Sequence, residues 1–379
     1  MTSPLPFFLG LDIDGAGSHP GAAAVTGLAG ADLVAGARLA RSVRQAENAG
    51  FTFATFADAL LPTAPGAPSS ARLESVTRAA FVSRTTTAIG LVPQVPTTYP
   101  EPFHVAAQLA SLDIATTGRG GWLAAVTRTP ETAHAYGRAA VDDLGREARD
   151  VVQVVRELWD SWEDDAVIRD VATGRYIDRD RVHHVDFEGE SFSVKGPLIT
   201  PRPTQGQLVV FAADGDVAPS AHDERLVDVA IVGGPDVASA RGAARDAHER
   251  SPRAAVELEV VLDAGGRTGA ERLAELAAAT PADVRSPWGT GALRYVGDAA
   301  GLVGLLAELA APGPDGTRDV DGVRVLPAVL DVDLPVLQRD VLPALRAARV
   351  TAAPRPDATL REALGLPRPA NRYDARLSA

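Results

Sequence analysis

Groups able to hold a small molecule stand where apolar runs end: Asp58 after "FTFATF" (51–56), Gln94, Thr97 and Thr98 within "LVPQVPTT" (91–98), and Thr127 after "GWLAAV" (121–126). A carboxylate, an amide and hydroxyls at such positions exchange hydrogen bonds without attacking anything, which suits the polar edge of a heterocycle better than acyl transfer. No Ser/His/Asp nucleophilic set is readable. The histidines at 19, 104, 134, 183, 184, 222 and 248 show no metal spacing apart from the adjacent His183 and His184. Neighbours on a strand point to opposite faces, so that pair is a poor chelate. Further along, "FAADGDVAPS" (211–220) sets Asp214 and Asp216 into a loop, where they read either as solvated charges or as repellers of a bound anion.

Each of these residues also has a purely structural reading. Asp58 serves equally as a helix or turn cap, and Thr97 and Thr98 as hydroxyls closing the turn before Pro100. Arg119, in "TTGRGGW", reads as the pin of a Gly-rich turn, Trp122 as core, and Trp159 and Trp162 as packing on one helix face. His19, alone in "GAGSHPGAA", reads as a solvent-exposed loop residue.

The elements that must position these groups alternate along the 379 residues. Strand-like runs begin at Leu5, Phe51, Thr87, Trp122, Leu208, Val227, Ala254 and Val323, and most are followed by a helical pattern. The later runs are too continuously apolar to be half-exposed, as fully buried parallel strands are. Eight such starts, with no strand-order switch and no GxGxxG opening, predict an α/β fold of the (β/α)8 TIM-barrel type. Residues 163–207 break the rhythm with polar, short-strand text and read as an insertion between strands 4 and 5 of one domain, 1–379. In such a barrel the named groups converge at the C-terminal ends of the strands, and one cavity there is expected to gather Asp58, Gln94, Thr97 and Thr98.

Composition sets the outer limits. With 46% hydrophobic residues, 23% charged and no long apolar run, the chain reads as a globular protein of the cytoplasm without a membrane partner. A net charge of −12 and the lack of a basic, aromatic-interleaved cluster argue against nucleic acid. Zero cysteines exclude disulfides and thiolate chemistry.

The run Thr97-Thr98-Tyr99-Pro100-Glu101-Pro102-Phe103, then "ASLD" (110–113) and "GRGGW" (118–122), resembles the bacterial-luciferase-like flavin monooxygenases, in their nitrilotriacetate/dibenzothiophene-sulfone branch. "AENAGFTFATFADALL", "VVQVVRELWDSW", "GESFSVKGPLITPRPTQGQ" and the tail "TLREALGLPRPANRY" extend the resemblance over most of the chain. It implies a luciferase-like barrel using reduced FMN, delivered by a separate flavin reductase, to activate O2 against a small organic substrate. Asp58, Gln94, Thr97 and Thr98 would hold the flavin, and a homo-oligomer is compatible with the pattern.

Against that pattern stand several departures. The flavin-contacting His and Tyr of the family fall on Val141 and Gly145, its Arg on Leu144 and its Asn on Leu123. In the phosphate loop the Gly becomes Asp214, the serines become Gly215 and Asp216, and the later Gly becomes Pro219. A carboxylate about 5 Å from a phosphate repels it by roughly 3 kcal/mol at an effective dielectric of ~20, unless an arginine such as Arg225 or Arg202 neutralises it or it turns to solvent. Two functions follow: an FMNH2-dependent monooxygenase with weakened FMN affinity, or a flavin-independent paralogue acting as a partner subunit or ligand-binding protein.

Overall fold

The computed structural model describes residues 5–61, 72–220, 225–280, 288, 291–313 and 316–374. Eight parallel strands close a barrel: β1 (Phe8–Asp12), β2 (Phe53–Phe56), β3 (Gly90–Pro96), β4 (Gly121–Ala125), β5 (Val209–Ala213), β6 (Val229–Val232), β7 (Arg253–Leu262) and β8 (Gly322–Pro327). The closing pair runs Phe8 opposite Gly322 through Leu11 opposite Val325. The expected strand starts all fall on these strands or within a few residues of them.

One strand escaped the sequence reading. Leu293–Gly297 lies parallel to the second half of β7, pairing Leu258–Leu262. The reason is length: β6 covers β7 only from Arg253 to Val256, so the edge beyond lies open and the extra strand takes it. Residues 163–207 contribute two antiparallel hairpins, Val167–Asp170 with Arg175–Ile177 and Phe187–Glu188 with Ser193–Val194, and no barrel strand. The Pro/Gly/Asp loop 312–319 lies partly outside the described residues.

Helix ends follow local chemistry. The helix Gly36–Ala49 stops where Gly50 takes φ 93°, a left-handed conformation that glycine adopts without a Cβ penalty. The helix Pro102–Ala115 starts with Pro at its first position while Glu101 accepts from the His104 N–H at 2.7 Å. Much of the "TTYPEPF" run is thereby explained as a helix start.

Two layers of core result. Outside the barrel the helices pack on Leu9, Phe56, Leu91, Trp122, Val210 and Val256. Inside it Phe8, Phe53, Val92, Leu123, Val209, Phe211 and Ile231 fill the lower half, with Leu360, Leu364 and Leu366 from the tail among them. A Cβ at residue 10 would sit 2.3 Å from the Phe53 ring, so only Gly10 leaves room for that filler. Among the described residues, no helix is long and apolar enough to cross a membrane.

Candidate active site at the barrel mouth

Toward the C-terminal ends, the inward positions of the strands change from apolar to charged. Arg324 of β8 is buried and donates to Asp12 at 2.7 Å and to Thr55 Oγ1 at 3.0 Å, and it pairs with Glu257 of β7. Thr55 donates onward to Asp12 at 2.8 Å. Next to this cluster Glu259 binds Arg294 at 3.0 Å, and Arg294 is carried by the extra strand. The sequence reading missed these residues. A signal was present: a charge at an inward position within an apolar run, as in "LGLDI", "VELEVV" and "GVRVLP", is costly unless it is paired.

A cavity of about 350 Å3 opens at this level, lined among others by Asp12, Asp14, His19, Arg38, Arg78 and Arg324. Arg78 holds Asp14 at 3.0 Å, and its Nε is buried without a hydrogen-bond partner among the described residues. Burial, reinforced by the neighbouring Asp12, pushes the Asp14 carboxyl up against the pull of Arg72 and Arg78.

His19, expected to be exposed, is buried at 5% exposure. Its ring packs 4.7 Å from that of Trp288, and the Arg294 guanidinium lies 4.3 Å from the centroid of the same Trp288 ring. His19 Nδ1 accepts from the Gly21 N–H at 3.0 Å, which places the ring proton on Nε2. Burial, with Arg294 adding to it, lowers the His19 pKa to about 4. His19 is therefore expected to stay neutral, with Nε2 protonated, from pH 8 down to about 5. Its ring 15N shifts over that range check this, and a titration near the ordinary value of 6.5 would refute it.

The four residues chosen from sequence all lie at this end of the barrel, yet none of them lines the cavity. The polar atoms of three are turned to backbone instead. Asp58 accepts from the Ala59 and Ser75 N–H groups at 2.8 Å each, and Gln94 donates to the Asp58 carbonyl at 2.8 Å. Thr97 donates to the Ala125 carbonyl through both its N–H, at 2.8 Å, and its hydroxyl, at 3.2 Å. Thr98 differs: its hydroxyl is fully buried and has no partner among the described residues. One orphan donor is compatible with the edge of a flavin ring; Leu123, beside Gln94 in register, is apolar.

At the loop after β5, where the resemblance would put the phosphate of FMN, several donors are engaged within the chain. The N–H groups of Asp214, Asp216 and Ala218 are already spent on the carbonyls of Ile231, Ala213 and Gly145, and Pro219 has none. Asp214 is held by Arg250 at 2.8 Å and Asp216 by Arg128 at 2.6 Å. These counter-ions replace the expected Arg225 or Arg202; Arg202 is committed to Asp160 and Asp164 at the opposite end of the barrel. The two carboxylates are thus paired, and three of the loop's N–H groups are not free for a phosphate.

Many of the motifs that carry the resemblance meet at the N-terminal end of the barrel. Gln205 of "PTQGQ" donates to Asp113 of "ASLD" at 2.6 Å, and Arg361 of the tail binds Asp228 at 3.1 Å. Arg119 donates to the carbonyls of Ser83, Thr86, Ile89 and Thr116, so it pins the turn as expected. Trp159 is buried edge-on to Trp122, with ring centroids 6.3 Å apart. His183 pairs with Glu163 and His184 with the Gly196 carbonyl, and no metal-holding cluster exists among the described residues.

Known proteins share parts of this sequence and the barrel. A family model described as luciferase-like monooxygenase matches residues 15–285. The chain is 41% identical over 144 residues to nitrilotriacetate monooxygenase component A of Aminobacter aminovorans, covering 37% of this chain and 32% of that protein. It is 35% identical over 245 residues to a subunit of the pristinamycin IIA synthase of Streptomyces pristinaespiralis, covering 65% of this chain and 74% of that protein. In the first two curated relatives the match spans only about a third of the relative. In fold, the chain superposes on EDTA monooxygenase from Chelativorans sp. BNC1 with a TM-score of 0.74 at 21% identity, over 96% of this chain and 99% of that one.

Proposed function

The chain belongs to the luciferase-like monooxygenase family, and from that premise we propose that it is a flavin-dependent monooxygenase acting on a small organic substrate in the cavity at the barrel mouth. The observation that carries this reading is the cavity itself, with the unpartnered Arg78 Nε beside it and a neutral His19 in its wall. Reduced flavin, supplied by a separate reductase, would provide the O2-activating chemistry. The chain's own residues bind and orient: His19 offers Nε2–H, Arg78 holds Asp14 in the wall, and the paired Asp12–Arg324–Glu257 layer floors the cavity without a free charge. Asp58 and Gln94 support this wall through the Ser75 helix start, and of the two threonines only Thr98 keeps a hydroxyl without a partner among the described residues.

A second reading has its own support. The spent donors after β5, together with similarity to a protein that is one subunit of a synthase, favour a chain that serves a catalytic partner without turning over flavin itself. One experiment separates the two. Anaerobically reduced FMN or riboflavin is mixed with oxygenated buffer with and without the protein, and reoxidation is followed optically. The monooxygenase reading expects the protein alone to alter the reoxidation rate. Identical traces count against it, and traces that change only after addition of a second luciferase-like chain favour the partner role.

A further inference from the structure

We infer that the end of the flavin site which would receive the FMN phosphate is filled by this chain's own carboxylates, so that the site selects a flavin by its ring and ribityl chain and gains nothing from the phosphate. The inference rests on the flavin reading above. Asp214 and Asp216 occupy Arg250 and Arg128 in the way that a bound phosphate would occupy them. Several donors nearby are engaged as well. Ala218 N–H binds the Gly145 carbonyl, and a Cβ added at Gly145 would meet Ala218 Cβ at 3.8 Å, so the helix start and the loop touch directly. At that helix start, Leu144–Asp160, the Arg146 N–H is taken by Asp143 at 2.9 Å and the Arg146 guanidinium by Glu190 at 2.6 Å. A dianion entering here would have to displace a carboxylate that stays tethered beside it. Arg225, which lines the cavity of about 320 Å3 behind the loop, is the cation to be tested as an exception.

The test is binding by the full chain, read without turnover: oxidised riboflavin and FMN by fluorescence quenching, and their reduced forms by anaerobic calorimetry. The inference expects FMN to bind no more than about threefold tighter than riboflavin, where a site with working phosphate donors gains far more from charge-assisted hydrogen bonds. The double substitution Asp214→Gly, Asp216→Ser frees Arg250 and Arg128 and should tighten FMN at least about tenfold while moving riboflavin less than about twofold. Arg250→Ala provides the opposite check, since it uncovers the Asp214 charge and should weaken FMN alone. Circular dichroism of each variant guards against loss of fold. FMN binding more than about tenfold tighter than riboflavin in the unmodified protein, and lost in Arg225→Ala, overturns the inference while leaving the flavin reading in place. Absence of binding by either flavin in every oxidation state, in the double variant as well, overturns both.

Discussion

Arg324→Leu is expected to cost about 3–5 kcal/mol of folding stability, measured by urea unfolding at pH 7. Arg324 is the only cation bonded to Asp12 or to Glu257 among the described residues, at a level of the barrel where Asp12 and Arg324 are 7% and 8% exposed. The gain from the pair itself is not what the measurement reads. The Asp12 carboxylate would be left in a low-dielectric interior with its opposite charge removed, and its desolvation sets the cost, while Glu257, its side chain 29% exposed, keeps part of its hydration. Thr55 donates to Asp12 and compensates only in part. Arg324→Lys keeps the charge but loses the fork that reaches Asp12, Thr55 and Glu257 together, so it should fall between wild type and leucine. Combining Arg324→Met with Asp12→Leu and Glu257→Leu removes the buried charges and should recover most of the loss. A leucine variant within about 1 kcal/mol of wild type would mean that water or backbone motion already relieves the cluster.

The stability difference between wild type and Asp113→Asn should change by about 2 kcal/mol between pH 4 and pH 6.5. Asp113 is fully buried, and burial pushes its pKa up to about 6 despite the hydrogen bonds from Gln205. Its unfolded value is near the ordinary carboxylate range, so between the two values the folded state holds a proton that the unfolded state has lost. Stability from this group is therefore greatest below the unfolded pKa and declines as pH rises through the folded one. The asparagine amide cannot accept the Gln205 N–H where Asp113 Oδ2 does, at 3.3 Å, but that penalty is constant with pH and drops out of the slope. His19 acts in the opposite sense. Its folded pKa of about 4 lies below the unfolded value, so its contribution is present above pH 6.5 and is lost as pH falls toward 4. His19→Gln should then make the protein relatively more stable in acid, and the two single variants should show opposite pH trends against wild type. Unfolding curves at pH 4, 5, 6 and 7 decide it; a wild-type to Asp113→Asn difference that does not vary with pH would show that burial leaves the Asp113 pKa at its unfolded value.

The same two residues show how differently parts of the molecule could be read. Asp113 lies in the "ASLD" motif and proved to be a buried pin under the barrel, joined to Gln205 of another motif 92 residues away. His19 stood alone in a Gly-rich loop, with nothing local to distinguish a solvated side chain from one stacked on Trp288, and that cover comes from far along the chain. Asp58 was legible as either ligand or cap, and in the fold its carboxylate is spent on the Ser75 and Ala59 N–H groups, as a cap's would be.

By itself the sequence determined the periodic features. Runs of apolar residues too continuous for one wet face specified eight buried parallel strands, and residues such as Glu101, Pro102 and Gly50 specified helix ends, because burial period and capping are properties of a few adjacent residues. The tertiary structure decided which charge meets which. Arg324 reaches Asp12 across 312 residues, and Arg128 reaches Asp216 across 88. A carboxylate in a loop carries no local mark of its counter-ion, and the sign of its effect on a ligand depends on that partner. The loop after β5 thus reads as repulsive from its residue types alone, and its two carboxylates become paired only when the barrel brings Arg128 and Arg250 to them.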